Sequence, residues 1–459
     1  MKSAFSNVVF KRRSLGIATA LIGYVFFCLS GAVAQTGPNA VYNSSGSCCT
    51  ASPAFIDASA FHSGATNFCG VVKLALLSSN FIAGGVIDAR GLNPNNTSMT
   101  CPSTQPSPWY GISSPPASTI LLPATGGGTT PTPIVIPSGW VLPAGTHLIG
   151  VADGDVAVSG SASYSGTTIQ AGSGFSGTMI SFCPSACSGV SVENLSLDGQ
   201  GLTTGVIGIA NAYATPGYVK NVTLFQIVGL GLSVAAPGSG PYSNITFDTN
   251  DKVGPSTTCL SVGASGTQGF HKITCTSLNQ APNAVLLNAS STSLTDVRIT
   301  GFTDGIVVGS VSSDVLRNVW GDTTGTITTP TDAVILIGSN AQDIAIVGAG
   351  NAGAFPTIRD EATATVLYDR FVSLYALGEQ GTNPGYSRFT TSPNATSGDA
   401  NAVTWGTGAS APTGSCAEGS LYSCTGASCN GTSACGTGTT AALWVCGNKS
   451  GTPGWCVIK

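Results

Sequence analysis

One four-residue pattern recurs through the middle of the chain: a polar residue, then apolar, polar, apolar. It begins at Asn194, Asn221, Asn244, Lys272, Asp296, Asn318 and Asp343, roughly every 25 residues. Weaker copies begin at His147 and Thr168. Each copy alternates with period 2, which predicts a short strand with one buried face. A second apolar run follows most copies, as in Gly229–Val234, Cys259–Val262 and Gly305–Val308. Gly, Ser, Asn and Pro fill the gaps and mark turns.

Several strands per repeat, with no helical pattern between them, predict an all-β solenoid. The expected fold is a right-handed parallel β-helix of about nine to eleven coils, in which stacking buries the apolar face that no coil can bury alone. A leucine-rich repeat requires Asn or Cys in a column that here reads Gln200, Ile227, Asn250, Leu278. The triplets Asn194-Leu-Ser, Asn221-Val-Thr and Asn244-Ile-Thr match glycosylation acceptors. They also share one repeat position, which predicts a ladder of stacked Asn side chains.

The flanks break the pattern. Lys11, Arg12 and Arg13 precede an apolar run from Leu15 to Leu29, then Ala32-Val33-Ala34. This is a secretory leader over residues 1–34, cleaved near Ala34-Gln35, and its apolar run is shorter than the roughly 20 residues that span a bilayer. The expected mature chain is therefore secreted, extracellular or periplasmic, and off the membrane. Residues 35–82 form a cap region whose one helical pattern, Asn67–Phe81, precedes the strand at Gly85–Ala89 and covers the open end of the stack. The solenoid is assigned to 83–366, a linker to 367–415 and a Cys-rich β module to 416–459. That module holds six of the fifteen cysteines, with Trp444 and Trp455. An even count remains once Cys28 leaves with the leader, which predicts disulfides in an oxidising compartment. Cys69 with Cys101 and Cys259 with Cys275 are the expected pairs outside it.

Composition sharpens this picture. Only 8 % of the 459 residues are charged, 16 Lys+Arg and 20 Asp+Glu, against roughly a quarter in an ordinary domain. No basic cluster lies beyond Arg13, so nucleic acid is not an expected partner. Glycine is abundant at 61 residues, and helix-forming Lys, Glu and Arg are scarce.

Three stretches carry a family resemblance: Gly84-Gly-Val-Ile-Asp-Ala-Arg-Gly91, Leu142-Pro-Ala-Gly-Thr-His-Leu-Ile-Gly150 and Val190-Ser-Val-Glu-Asn-Leu-Ser-Leu-Asp-Gly199. Over about residues 55–350 the chain resembles the pectate lyase-like superfamily of parallel β-helices, which includes polygalacturonases. The resemblance implies a protein that meets a long polysaccharide along the outside of a rod. The polygalacturonase set of Asn-Thr-Asp, Asp-Asp, Gly-His-Gly and Arg-x-Lys is not found, and Asp248-Thr-Asn-Asp251 is its nearest echo.

Counting forward from the polar residue of each copy gives a map of the outside. The +4 column holds Asp198, Phe225, Asp248 and Asp322, and the +2 column holds Arg298 and Trp320. Lys272 is expected on the same face. Two chemistries fit. Asp198 and Asp248, two coils and about 9.6 Å apart, approach the spacing of an inverting glycosidase. Alternatively, a base removes the proton next to a uronate carboxylate, with Asp248 and Asp251 holding Ca²⁺ and with Arg298 or Lys272 neutralising the carboxylate or serving as base. Phe225 and Trp320 are candidate sugar platforms. His62, His147 and His271 are expected to be structural. The function read from the sequence is a polysaccharide lyase or glycoside hydrolase acting on polyuronide or a related glycan. Its rival is a non-catalytic adhesive or structural protein on the same scaffold.

Overall fold

The computed structural model describes residues 54–125, 132–153 and 166–351, apart from short gaps at 188, 204, 214–215, 236–238, 264–267 and 323–332. It also describes strand backbones at Ile358–Asp360, Val366–Ser373 and between Tyr386 and Ile458. The expected leader and the side chains of the Cys-rich end lie outside the described residues.

The chain is a parallel β-helix with three faces. The first face stacks twelve parallel strands, from Ala54–Asp57 through Gly85–Asp88, Ser118–Leu121 and Thr146–Ile149 to Val366–Ser373. At about 4.8 Å per coil this face is roughly 50 Å tall. The third face, from Trp140–Leu142 to Ile358–Asp360, has nine strands. The lumen between the faces is filled by columns of apolar side chains. One runs Val192, Val219, Tyr242, Phe270, Leu294, Leu316, Ile346, and all are buried. Tyr242 and Phe270 stack at 4.9 Å, and the Tyr242 hydroxyl is satisfied inside by Asn211 and Ser239.

The polar residue that opens each copy is the corner between the first and second faces. Asn194, Asn221, Asn244, Lys272, Asp296 and Asn318 all have φ between 51° and 57°. That left-handed bend turns each strand without ending it, and Asn and Asp tolerate it better than other side chains. The ladder is present: Asn221 donates to Asn194 at 2.7 Å, Asn244 donates to Asn221 at 3.0 Å, and Asn318 donates to Asp296 at 2.6 Å. Asn221→Ala therefore loses two ladder bonds and leaves in the left-handed bend a residue that tolerates it less well than Asn. The expected loss of unfolding free energy is about 2 kcal/mol, with Asn221→Gly recovering the conformational part. Equal losses for both variants in urea unfolding would show that the bend costs nothing.

Two copies of the repeat fall elsewhere than the pattern placed them. Arg317 pairs with Val347 and Val319 with Ala349, so the corner above Asn318 is Gly348, at φ +77°. Asp343 instead stands beside Ser313, and both are left-handed turn residues that start a coil. The sequence Asp-Ile-Ala-Ile imitates the motif five residues early, while the true corner carries no side chain. The His147 and Thr168 copies are halves of one coil. His147 pairs with Ser191 and Thr168 with Ser196, on either side of the corner at Asn194. The chain leaves the coil after Gly150 and rejoins it at Thr168.

The cap helix is Phe68–Leu76, N-capped by Asn67, whose side chain accepts from the Gly70 N–H. It follows the first strand rather than preceding it. Ala54 and Ile56 already alternate inward in Ala54–Asp57, which pairs with Gly85–Asp88. Phe68 stacks on Trp140, and Cys69–Cys101 ties the helix down. Cys259–Cys275 staples adjacent coils from inside the lumen. A third bridge, Cys183–Cys187, closes a five-residue turn. No described helix is long and apolar enough to cross a membrane. Beyond the solenoid, Tyr386–Thr390, Ala402–Ser410, Leu421–Ser428, Leu443–Lys449 and Thr452–Ile458 form a separate five-stranded sheet. Its first two strands fall inside the segment assigned to a linker.

Candidate functional site

The second face carries the forward columns as expected. Asp198, Phe225, Asp248, Thr276, Thr300 and Asp322 are register partners in turn, as are Ser196, Thr223, Thr246, Thr274, Arg298 and Trp320. Burial divides them. Asp198 is only 1 % exposed and its carboxylate accepts from Gln170 Nε2, Gln200 Nε2 and the Gln200 N–H. It is the buried hub of a turn, which corrects its placement as a surface acid. Phe225 is 3 % exposed, so it offers no platform to a sugar. The turns that follow the column fold over this part of the face: Val228 lies against Gly254, and the Lys252 stem lies against Gly201.

Asp248 is half-buried and accepts the Asn250 N–H, and burial pushes its carboxyl pKa up. Asp251 lies beyond the strand at φ 70°, and its carboxylate is 3.4 Å from Lys252 Nζ. Calcium takes six to eight oxygen ligands. Among the described residues no three His, Cys, Asp or Glu side chains converge, and Asp251 already faces a cation. These residues do not fit a calcium site. Lys272 stands on the corner, while Arg298 and Trp320 are neighbours across one coil step of the second face.

The densest polar chemistry lies on the first face, in the columns counted backward from the corner. His147, Ser191 and Tyr218 occupy one column, and Glu193 and Lys220 the next. They form one hydrogen-bonded run over three coils. His147 Nδ1 is 2.8 Å from Ser191 Oγ, Ser191 Oγ donates to Glu193 Oε1 at 3.2 Å, and the Tyr218 hydroxyl donates to the same oxygen at 2.6 Å. Ser191 has a single hydroxyl proton, and Glu193 takes it. Ser191 must then accept from a protonated Nδ1, which leaves the lone pair of a neutral His147 on Nε2. The hydrogen bond to Glu193, and then burial, raise the Tyr218 phenol above its ordinary pKa, so it holds its proton at neutral pH. Lys220 is the register partner of Glu193 and is exposed.

His147 was expected to be structural, and Ser191, Glu193, Tyr218 and Lys220 were not singled out. The signal was available, because counting back one and three residues from the same corner yields both columns. The detached coil half at His147 hid its alignment with Ser191.

No family model matches the chain, and no curated protein is similar to it. Among solved structures it is similar to full-length tailspike protein 2 of the Escherichia coli O157:H7 bacteriophage CAB120, at 10 % identity and a TM-score of 0.30, over 55 % of this chain and 38 % of that one. It is similar to the A-module of Azotobacter vinelandii mannuronan C-5 epimerase AlgE6, at 12 % identity and a TM-score of 0.36, over 70 % and 96 %. It is similar to ORF18 of Geobacillus virus E2, at 10 % identity and a TM-score of 0.30, over 83 % and 65 %. The chain thus spans about two fifths of the length of the tailspike that it matches.

Proposed function

We propose that this protein acts on a polyuronide or related polysaccharide outside the cell, by proton transfer on the first face of the rod. The observation that carries the reading is the unbroken run His147–Ser191–Glu193–Tyr218. A base and a proton-bearing acid stand two coils apart in one column, about 9.6 Å between backbones, joined through a carboxylate. Lys220 beside them supplies a cation for a uronate carboxylate, whose negative charge grows when the adjacent carbon loses its proton. The three disulfides among the described residues fit an oxidising compartment.

The step closes as an elimination. His147 Nε2 takes the proton on the carbon next to the carboxylate, and the electron pair forms the new C=C bond. The glycosidic C–O bond breaks, and the leaving oxygen takes the phenolic proton of Tyr218. The imidazolium then returns its Nδ1 proton to Ser191, Ser191 passes its own to Glu193, and Glu193 restores Tyr218. The relay leaves His147 as its Nε2–H tautomer, and exchange of the ring protons with water restores the Nδ1–H form before the next turnover. Hydrolysis by the Asp198–Asp248 pair lacks support, since Asp198 is buried and committed to three donors.

Purified protein incubated with polygalacturonate and with neutral glycans tests the reading. Ultraviolet absorbance from an unsaturated product should grow on the polyuronide alone. New reducing ends without absorbance would mean hydrolysis instead. No product on the whole panel would leave a binding protein, the reading favoured by the complete burial of Ser191.

A further inference from the structure

The chain keeps few basic side chains, and three of those described have an evident local role. Arg90 pairs with Asp88 at 2.7 Å, Lys252 faces Asp251, and Lys73 donates to Gln105 and lies over the Tyr110 ring. Three others gather at one place without a carboxylate partner among the described residues. Lys272, Arg298 and Arg317 stand on three successive coils around the corner between the first and second faces. All three are exposed. His271 joins them as the column partner of Thr295 and, one coil further, of Arg317. The single carboxylate at the corner, Asp296, is occupied by His271 at 2.9 Å and by Asn318 at 2.6 Å. Three fixed cations thus surround one carboxylate.

Unpaired like charges this close repel one another, and a solenoid coated with Thr, Ser and Asn does not need them for solubility. Their arrangement is directional. Lys272, Arg298 and Arg317 lie on successive coils, about 4.8 Å per step, at the corner, two residues beyond it and one residue before it, so together they form a staggered patch of positive charge that rises along the rod axis. A small free anion needs one such group. A polymer with an anionic group on successive residues matches the series. Trp320 lies half-buried beside Arg298 and offers a ring face of the kind that packs on a pyranose. His271 and Arg317 also share a column with Glu193 and Lys220, so the corner continues the track of the proton-transfer cluster, beginning two coils above Tyr218.

We infer that this corner is a binding subsite for the carboxylates or sulfate esters of an anionic polysaccharide, with Lys272, Arg298 and Arg317 as its charged contacts and Trp320 as its ring platform. The inference rests on the polysaccharide reading above but not on turnover. It explains why the charges sit beyond the cluster: they hold the chain that extends from the reacting sugar.

Calorimetric titration of the full protein with polygalacturonate, dextran sulfate, neutral dextran and duplex DNA tests it, at low salt and at about 0.5 M salt. The wild-type protein should bind at least one of the two anionic glycans, and the choice between them separates carboxylate from sulfate recognition. Neutral dextran should not bind, and added salt should weaken the complex. The Arg298→Ala/Arg317→Ala variant should bind roughly tenfold or more weakly, with a shallower salt dependence. Unchanged affinity in that variant, equal affinity for dextran, no binding of either polyanionic glycan, or tighter binding of DNA would each overturn the subsite. Tight binding without any turnover would sink the elimination and leave the corner standing. Turnover with a corner variant that binds like wild type would do the reverse.

Discussion

Replacing Glu193 by Gln should lower turnover of polyuronide by at least about a hundredfold, with little change in KM or thermal stability. General acid–base groups contribute about 10²- to 10⁴-fold. Gln keeps the shape, and its amide oxygen still accepts from Tyr218. What it lacks is a site that can take a proton from Ser191 and release it to Tyr218. The relay is cut in its middle, so His147 stays protonated after one cycle. Tyr218→Phe cuts it at the acid end. Because both changes break one path, the double variant should be scarcely slower than the worse single one. Independent, multiplying losses would argue that the residues do not act as a unit. Retention of more than a tenth of wild-type kcat by Glu193→Gln would remove the cluster from the chemistry.

The second large effect concerns stability. Asp314 is fully buried at the start of a coil; its Oδ1 accepts the Thr292 N–H at 2.8 Å, and its Oδ2 has no partner among the described residues. Burial pushes the carboxyl from an ordinary value of 3.8 up to about 6. The fold therefore favours the protonated acid. The stability gained is complete below about pH 4 and is lost as pH rises through about 6, a change of about 3 kcal/mol. Acidification from pH 7.5 to pH 4.5 should thus raise the unfolding free energy through this group. Asp314→Asn should abolish that part of the dependence, since an amide does not titrate. Asp88, held low by Arg90, acts in the opposite direction in both proteins, so the difference between wild type and variant isolates Asp314. Parallel curves in urea unfolding at several pH values would show that Asp314 is ionised in the fold.

The repeat was legible because two physical signals coincide in each coil: a polar residue that tolerates a left-handed bend, and inward apolar positions on either side. Asn194, Asn221 and Asn244 display both, and the ladder follows from them. The two longer-range disulfide pairs were legible for a simpler reason, since Cys259 and Cys275 sit on neighbouring coils and Cys69 and Cys101 bracket the cap. What failed was the reading of a bend that uses glycine. Gly348 satisfies the left-handed φ with no side chain, so the alternation jumped to Asp343. The site was missed on the opposite principle. Each bend reverses which residues face outward relative to simple alternation, so forward counting described only one of the two surfaces that meet there. Asp198 and Phe225 were placed correctly in their column, but later turns cover them, and no period in the sequence announces that cover.

The coil broken between Gly150 and Thr168 has a consequence for how such a rod evolves. Both halves keep their pairing with Val190–Asp198 although 17 residues of sequence separate Gly150 from Thr168. The corner is therefore a port at which chain length can change while the pairing on either side stays in step. Residues can be added there without renegotiating the lumen, since the strands on either side hold their register independently of what joins them. The same corner that aligns the Asn ladder is thus the place where the surface of the rod is free to diversify.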